Sequence, residues 1–396
     1  MRKILIIIMF AVPLMGNAQK KEISQAKEYI KSGKDYDKAE KLMTDLLKDE
    51  KNRGNKKIYE LWFKSLKGQY AQIGEKIYFK QKYDTVALYN IIHRMYGVAE
   101  TLDSIEAKPN KKGKVDFDNR EDNAKDLDKL RVNLYSGGAY NYRRGRYQEA
   151  FQFFNTYIDA EKQPLFASYN YMQNDTLMPM AAYLATACGY RLKNPEMTLK
   201  YCQLSLKNER IAPYTLHYMC SAYRTLKDDQ AYEATLREGF HRFPDNPYFF
   251  PRLADLYESR MQSDSVLVVA NRALEQYPDK PLFLLAKSVA LLHLGRTSEC
   301  IDVSQKLISK DAKLPDPYFN IATIYLNQAL ELEKKNEPRL YRDQLQELYK
   351  KARPYMESYR MLAPKQQNRW APALYRIYLN LNLGAQFDEI DRLLKK

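Results

Sequence analysis

Four histidines, four cysteines and scattered acidic pairs are the residues of this 396-residue chain that could carry chemistry. His93, His217, His241 and His293 lie far apart, and none belongs to an H-E-x-x-H pair. His217 and Cys220 stand three apart, so both fall on one face of a helix, yet two ligands fall short of a zinc site. Cys188, Cys202, Cys220 and Cys300 show no C-x-x-C spacing. No phosphate-cradling glycine loop, nucleophile elbow or kinase signature is present. Acidic pairs such as Asp228-Asp229 fall at expected turns, where capping a helix is their ordinary role. The chain therefore reads as non-enzymatic, with no cofactor and no metal.

Tyrosine is what the sequence has in excess: 33 residues, against two tryptophans. Tyrosine and arginine dominate binding hot spots because they offer large contact area with a polar tip or fork. Formal charge is +15. Where that charge acts depends on the first residues. Arg2 and Lys3 are followed by an uncharged apolar run from Ile4 to Leu14, then by Gly16-Asn17-Ala18, with small residues at the −3 and −1 positions of a cleavage site. This is the layout of a secretory signal over residues 1–18, cleaved before Gln19, and the run is short for a membrane span. Export to the periplasm or the outer membrane is the expectation, with no transmembrane segment after the signal is removed. No cysteine follows the run, so nothing marks a lipoprotein. Outside the cytoplasm a basic surface points to anionic surfaces, acidic glycans or acidic partner proteins rather than nucleic acid. Solvated lysines on helix faces are the plainer explanation.

The elements that would position these residues follow from a period. Pro179, Pro213, Pro247, Pro281 and Pro315 are each 34 residues apart, and proline suits the first turn of a helix. Seven residues after each comes a small residue: Thr186, Cys220, Ala254, Ser288 and Ala322. Such residues let two helices approach closely. Ten residues after each come Tyr223, Tyr257, Leu291 and Tyr325, with Gly189 the exception. A fixed period in this range marks stacked supersecondary units.

The pattern resembles the tetratricopeptide repeat, a hairpin of two antiparallel helices stacked into a right-handed superhelix. The unit from Pro247 fits best, with Ala254, Tyr257, Val266, Ala273 and Pro278; Tyr232 and Leu307 depart from the motif. The segments 33–39, 145–150 and 384–390 echo its turn and second-helix start. More broadly, the chain resembles secreted repeat proteins of Gram-negative bacteria. The expected fold is an all-α, right-handed α-solenoid. After the signal come a helical region at 19–130, one repeat-like unit plus a loop at 131–178, and five units at 179–364. Capping helices follow at 365–396. The fifth unit needs an insertion of about 18 residues, roughly five helical turns. The charged, helix-favouring stretch 330–348 suggests protruding helices, with Pro354 kinking the second.

The resemblance implies that first helices line a concave groove through positions 2, 5, 9, 12 and 13 of each unit. Those positions hold Tyr183, Tyr190 and Arg191, then Tyr214, His217 and Arg224, then Tyr248, Asp255 and Glu258. The earlier unit adds Tyr135, Tyr142 and Arg143. The next units turn apolar, through Leu282, Leu285, Val289, Leu292, Phe319 and Leu326. Such a groove suits a protein or peptide partner, an acidic one by charge. Interhelical packing is the competing role for each tyrosine. A scaffold in the cell envelope is the expected function, with a glycan-binding protein of nutrient uptake as the alternative. The resemblance also makes Cys202 and Cys220 neighbours, as buried thiols or as a disulfide.

Overall fold

The computed structural model describes residues 11–110, 112–335 and 340–395, with side chains from residue 19. Residues 1–10, which hold most of the expected signal, lie outside the described residues. The chain divides into two compact units, Met1–Thr235 and Leu236–Lys396. All regular structure among the described residues is helical.

The first unit begins with α1 (Ala11–Ser32), α2 (Tyr36–Leu46), α3 (Lys56–Tyr78), α4 (Thr85–Glu106), α5 (Arg120–Arg143) and α6 (Tyr147–Asp159). It continues through the short α7 (Tyr171–Asn174), then α8 (Met178–Arg191), α9 (Pro195–Leu199), α10 (Cys202–Ser205) and α11 (Ala212–Leu226). The unit boundary falls within α12 (Asp229–Arg242). The second unit runs through α13 (Phe249–Ser259), α14 (Ser263–Gln276), α15 (Pro281–His293), α16 (Thr297–Lys310), α17 (Pro315–Glu333), α18 (Arg342–Leu362), α19 (Gln367–Asn380) and α20 (Gly384–Leu394). In each unit the long helices pack mainly on their neighbours in sequence, as in a solenoid.

The repeat residues explain this order. Pro179, Pro213, Pro281 and Pro315 sit in the first turns of α8, α11, α15 and α17, where a missing N–H costs nothing. Thr186, Cys220, Ser288 and Ala322 are fully buried, and each lets the partner helix of its hairpin come close. Around Ser288 the contacts are polar as well: its hydroxyl lies 2.6 Å from that of Ser304 and accepts from Asn320 Nδ2 at 2.9 Å. Lys80, Lys193, Lys227, Met261 and Asn382 take positive φ just past helix ends, the conformation that turns the chain back on itself.

A continuous core in the first unit joins Leu66, Ile92, Leu127, Phe154 and Ala182, with a smaller one around Ala26, Met43 and Ile58 at its start. In the second unit, Tyr349, Met356, Trp370 and Leu374 form another. The 160–177 connection is held down by Arg131. Its guanidinium lies 3.8 Å from the ring centres of both Tyr157 and Tyr171 and pairs with Asp175. At the expected insertion, α17 and α18 are both long; residues 336–339 lie outside the described residues. Ala352, the small residue matched to the displaced motif position, is fully buried. Arg376 joins Glu333 of α17 to Tyr349 of α18.

Candidate functional site

Three of the tyrosines assigned to first-helix positions, Tyr183, Tyr190 and Tyr214, meet on one face of the first unit, around Tyr218. Tyr183 and Tyr190 are seven apart on α8, so both project from the same side. On α11, Tyr214 and Tyr218 are four apart and do likewise. The Tyr218 ring stacks on Tyr190 with centroids 4.4 Å apart and planes at 25°, and on Tyr183 at 6.1 Å and 19°. Tyr214 meets Tyr183 edge-on at 6.5 Å. His217 lies 6.0 Å from Tyr190 and 5.7 Å from Tyr218. Burial, then a hydrogen bond with Tyr183, pushes the Tyr218 hydroxyl well above its ordinary pKa.

Arg191 extends this face to the preceding hairpin. It hydrogen-bonds Tyr142, whose ring stands edge-on to Tyr147 at 5.4 Å. That hydrogen bond raises the guanidinium further above its ordinary value. Burial raises the Tyr142 hydroxyl, with Arg191 opposing. Beside Tyr190 and Arg191 opens a cavity of about 460 Å³, walled by Pro195 and Thr198 of α9 and by Ser221 and Thr225 of α11. Tyr214 is 56% exposed, Arg143 and Arg191 are exposed, and Tyr183, Tyr190, His217 and Tyr218 are half-buried. The face is aromatic and cationic, with large ring area open to solvent.

Other assigned residues fall elsewhere. Tyr135 is half-buried, with its ring 5.9 Å from both Phe154 and Tyr157, and packs against the core. Arg224 is exposed near the end of α11, 5.9 Å from the Tyr232 ring. Tyr248 and Asp255 belong to the second unit: Arg252 lies 3.8 Å over the Tyr248 ring, and Asp255 is exposed. Also in the second unit, Leu282 is 40% exposed, while Phe319 is covered by Arg369 at 3.9 Å.

Tyr218 is the residue that position-matching missed, because it holds the sixth position of its unit rather than the fifth or ninth. The spacing of four from Tyr214 is the signal that could have found it. As for metals, His217 turns to the tyrosines while Cys220 is buried, and no group of three His, Cys, Asp or Glu suited to a metal occurs among the described residues.

No family model matches the sequence, and no curated protein matches it. Solved structures of similar fold include the C-terminal part of a TPR repeat-containing protein from Cytophaga hutchinsonii. It is 12% identical, with 65% of this chain and 92% of that one covered and a TM-score of 0.42. YrrB, described as a TPR protein with an unusual peptide-binding site, is 13% identical over 51% of this chain and 95% of that one, at 0.35. The TPR2AB domain of yeast Sti1, solved as a pHSP90 complex, is 15% identical over 75% of this chain and 98% of that one, at 0.26. Motif and hairpins alike resemble tetratricopeptide units, and the all-α solenoid stands on the helices themselves.

Proposed function

We propose that the chain is a binding scaffold, exported to the cell envelope, whose first unit takes a peptide segment of a protein partner on the Tyr183–Tyr190–Tyr218 face. The observation that supports it is the gathering of four tyrosines, His217 and Arg191 from consecutive hairpins into one half-exposed surface. Pre-stacked rings lose little conformational freedom on binding, so more of their contact energy remains as affinity. Arg191, directed by Tyr142, supplies a fork for a carboxylate, which fits an acidic peptide. Binding here needs no covalent step.

The test compares the wild type with Tyr190→Ala and Tyr218→Ala in pull-downs from envelope extract, next to a glycan array. A protein captured by the wild type and lost from both variants supports the reading. Glycan signal lost from both variants would instead support a sugar-stacking role. A partner retained equally by all three proteins would remove the face from the function.

A further inference from the structure

The turns of the first unit alternate between two edges, because consecutive helices run antiparallel. Near the end of α3, Gln72 donates to the Gly33 carbonyl at 3.1 Å. Tyr89 at the start of α4 meets Tyr140 at the end of α5, 5.8 Å away. Arg191 and Tyr142 join the ends of α8 and α5. Tyr183 and Tyr214 join the starts of α8 and α11. The α1–α2, α3–α4, α5–α6, α8–α9 and α11–α12 turns therefore share one edge.

That edge has an unusual chemistry. At the α3–α4 turn, Tyr78 is 80% exposed and Phe79 66%, with rings edge-on at 5.1 Å, and Ile77 and Tyr83 are exposed beside them. Lys80 and Lys82 flank the rings. The neighbouring turns bring Arg143, Lys193 and Lys227, and none of these five cations forms an ion pair among the described residues. Of the carboxylates nearby, Asp84 and Asp228 accept from amides of their own helix starts and Asp35 pairs with Lys38, while Asp37, Glu149, Glu196 and Asp229 are exposed at the helix starts of the same edge. On the opposite edge Lys48, Arg53, Lys56, Lys114 and Lys162 are each bound to a carboxylate, while Lys51, Lys108, Lys207 and Arg210 are exposed without an ion pair among the described residues; what sets the first edge apart is the exposed Tyr78–Phe79 tip.

We propose that this edge docks on an anionic lipid surface, with Tyr78 and Phe79 entering the headgroup region and the turn cations meeting lipid phosphates. Exposed aromatic rings are unfavourable in water and settle where one end is apolar and the other wet. Lysines keep their charged heads in the polar layer while their stems lie along apolar surface. A row of unpaired cations on successive turns matches many mobile negative headgroups, and basic segments gain attraction from each one near such a surface. One apolar tip plus spread charge is the two-signal arrangement that stable peripheral binding requires.

The experiment uses the full chain, so the apolar run at residues 4–14 is common to every sample and only differences count. Phe79→Trp places a reporter at the tip, read against wild-type emission. Vesicles of phosphatidylglycerol and phosphatidylcholine should shift its emission to the blue, and pure phosphatidylcholine should not. Tyr78→Ser with Phe79→Ser should weaken vesicle co-sedimentation at least tenfold, and Lys80→Gln with Lys82→Gln should remove the preference for anionic vesicles. Far-UV circular dichroism confirms that each variant is folded. An unshifted reporter, or a double serine variant that sediments like the wild type, overturns the proposal. So does an acidic protein that shifts the reporter when vesicles do not.

Discussion

The rings of Tyr190 and Tyr218 stack 4.4 Å apart, so a residue of α8 and a residue of α11 hold each other in place while both stay half-exposed. Tyr218 also stacks on Tyr183, which makes it the hub of the face. Removing a hub costs the contacts of its neighbours as well as its own. Tyr218→Ala should therefore weaken partner binding by about 2 kcal/mol or more, against about 1–2 for Tyr190→Ala. Tyr218→Phe, which loses only the hydrogen bond with Tyr183, should cost about 0.5–1.5 kcal/mol. Calorimetric titration with the partner ranks the three; an affinity unmoved by Tyr218→Ala sinks the reading.

The 34-residue proline period places the hairpins because proline fixes where a first helix can begin, and Pro179, Pro213, Pro281 and Pro315 do so here. The small residues seven further on mark the buried seam for a similarly local reason. Tyr218 was not legible from motif positions, since its role depends on how α11 leans on α8. Tyr135 shows the converse: it holds a groove position by number yet spends its ring on Phe154 and Tyr157. The α9–α10 break was also invisible, for the motif expects one second helix in that unit and the chain forms two short ones.

Gly189, the exception among the aromatic tenth positions, has its reason in that same unit. A Cβ there would stand 2.3 Å from the backbone nitrogen of Thr198, so α9 packs where a side chain would be. Backbone cannot swing aside as a flexible side chain can. Gly189→Ala should destabilise the protein by about 2–3 kcal/mol, toward the upper range for overpacking. Gly97, inside α4 with nothing within 4 Å of its Cβ position, is the control. Gly97→Ala should stabilise by about 0.5–1 kcal/mol through helix propensity alone. Urea melts measure both, and a harmless Gly189→Ala would refute the close packing.

All four cysteines are buried thiols. Burial pushes the Cys188 thiol up to about 12, so almost none of it is thiolate near neutral pH. Reductant should leave the melting temperature unchanged, and iodoacetamide at pH 8 should label the native protein slowly. Labelling should become fast in urea. A melting temperature that falls by many degrees on reduction would reveal a disulfide contributing about 2–4 kcal/mol.

Glu100 gives the fold a pH dependence whose sign can be worked out. Its carboxyl sits on α4, where burial, with the negative charge of Asp159 adding to it, pushes the pKa up to about 7. In the unfolded chain the same group ionises near its ordinary value of 4.5. Below that value both states are protonated and no difference arises. Between 4.5 and 7 the unfolded chain ionises and the folded one resists, so stability falls as pH rises; above 7 the loss is complete. Glu100→Gln keeps the shape and removes the ionisation. It should stabilise the protein by about 2–3 kcal/mol at pH 8 and by much less at pH 5. Asp159 does not reverse this, because its own charge is engaged by Lys162, Lys200 and Tyr201. Urea melts of both proteins across that range test it, and a stability difference that does not change with pH would show Glu100 to be solvated and ionised in the folded state.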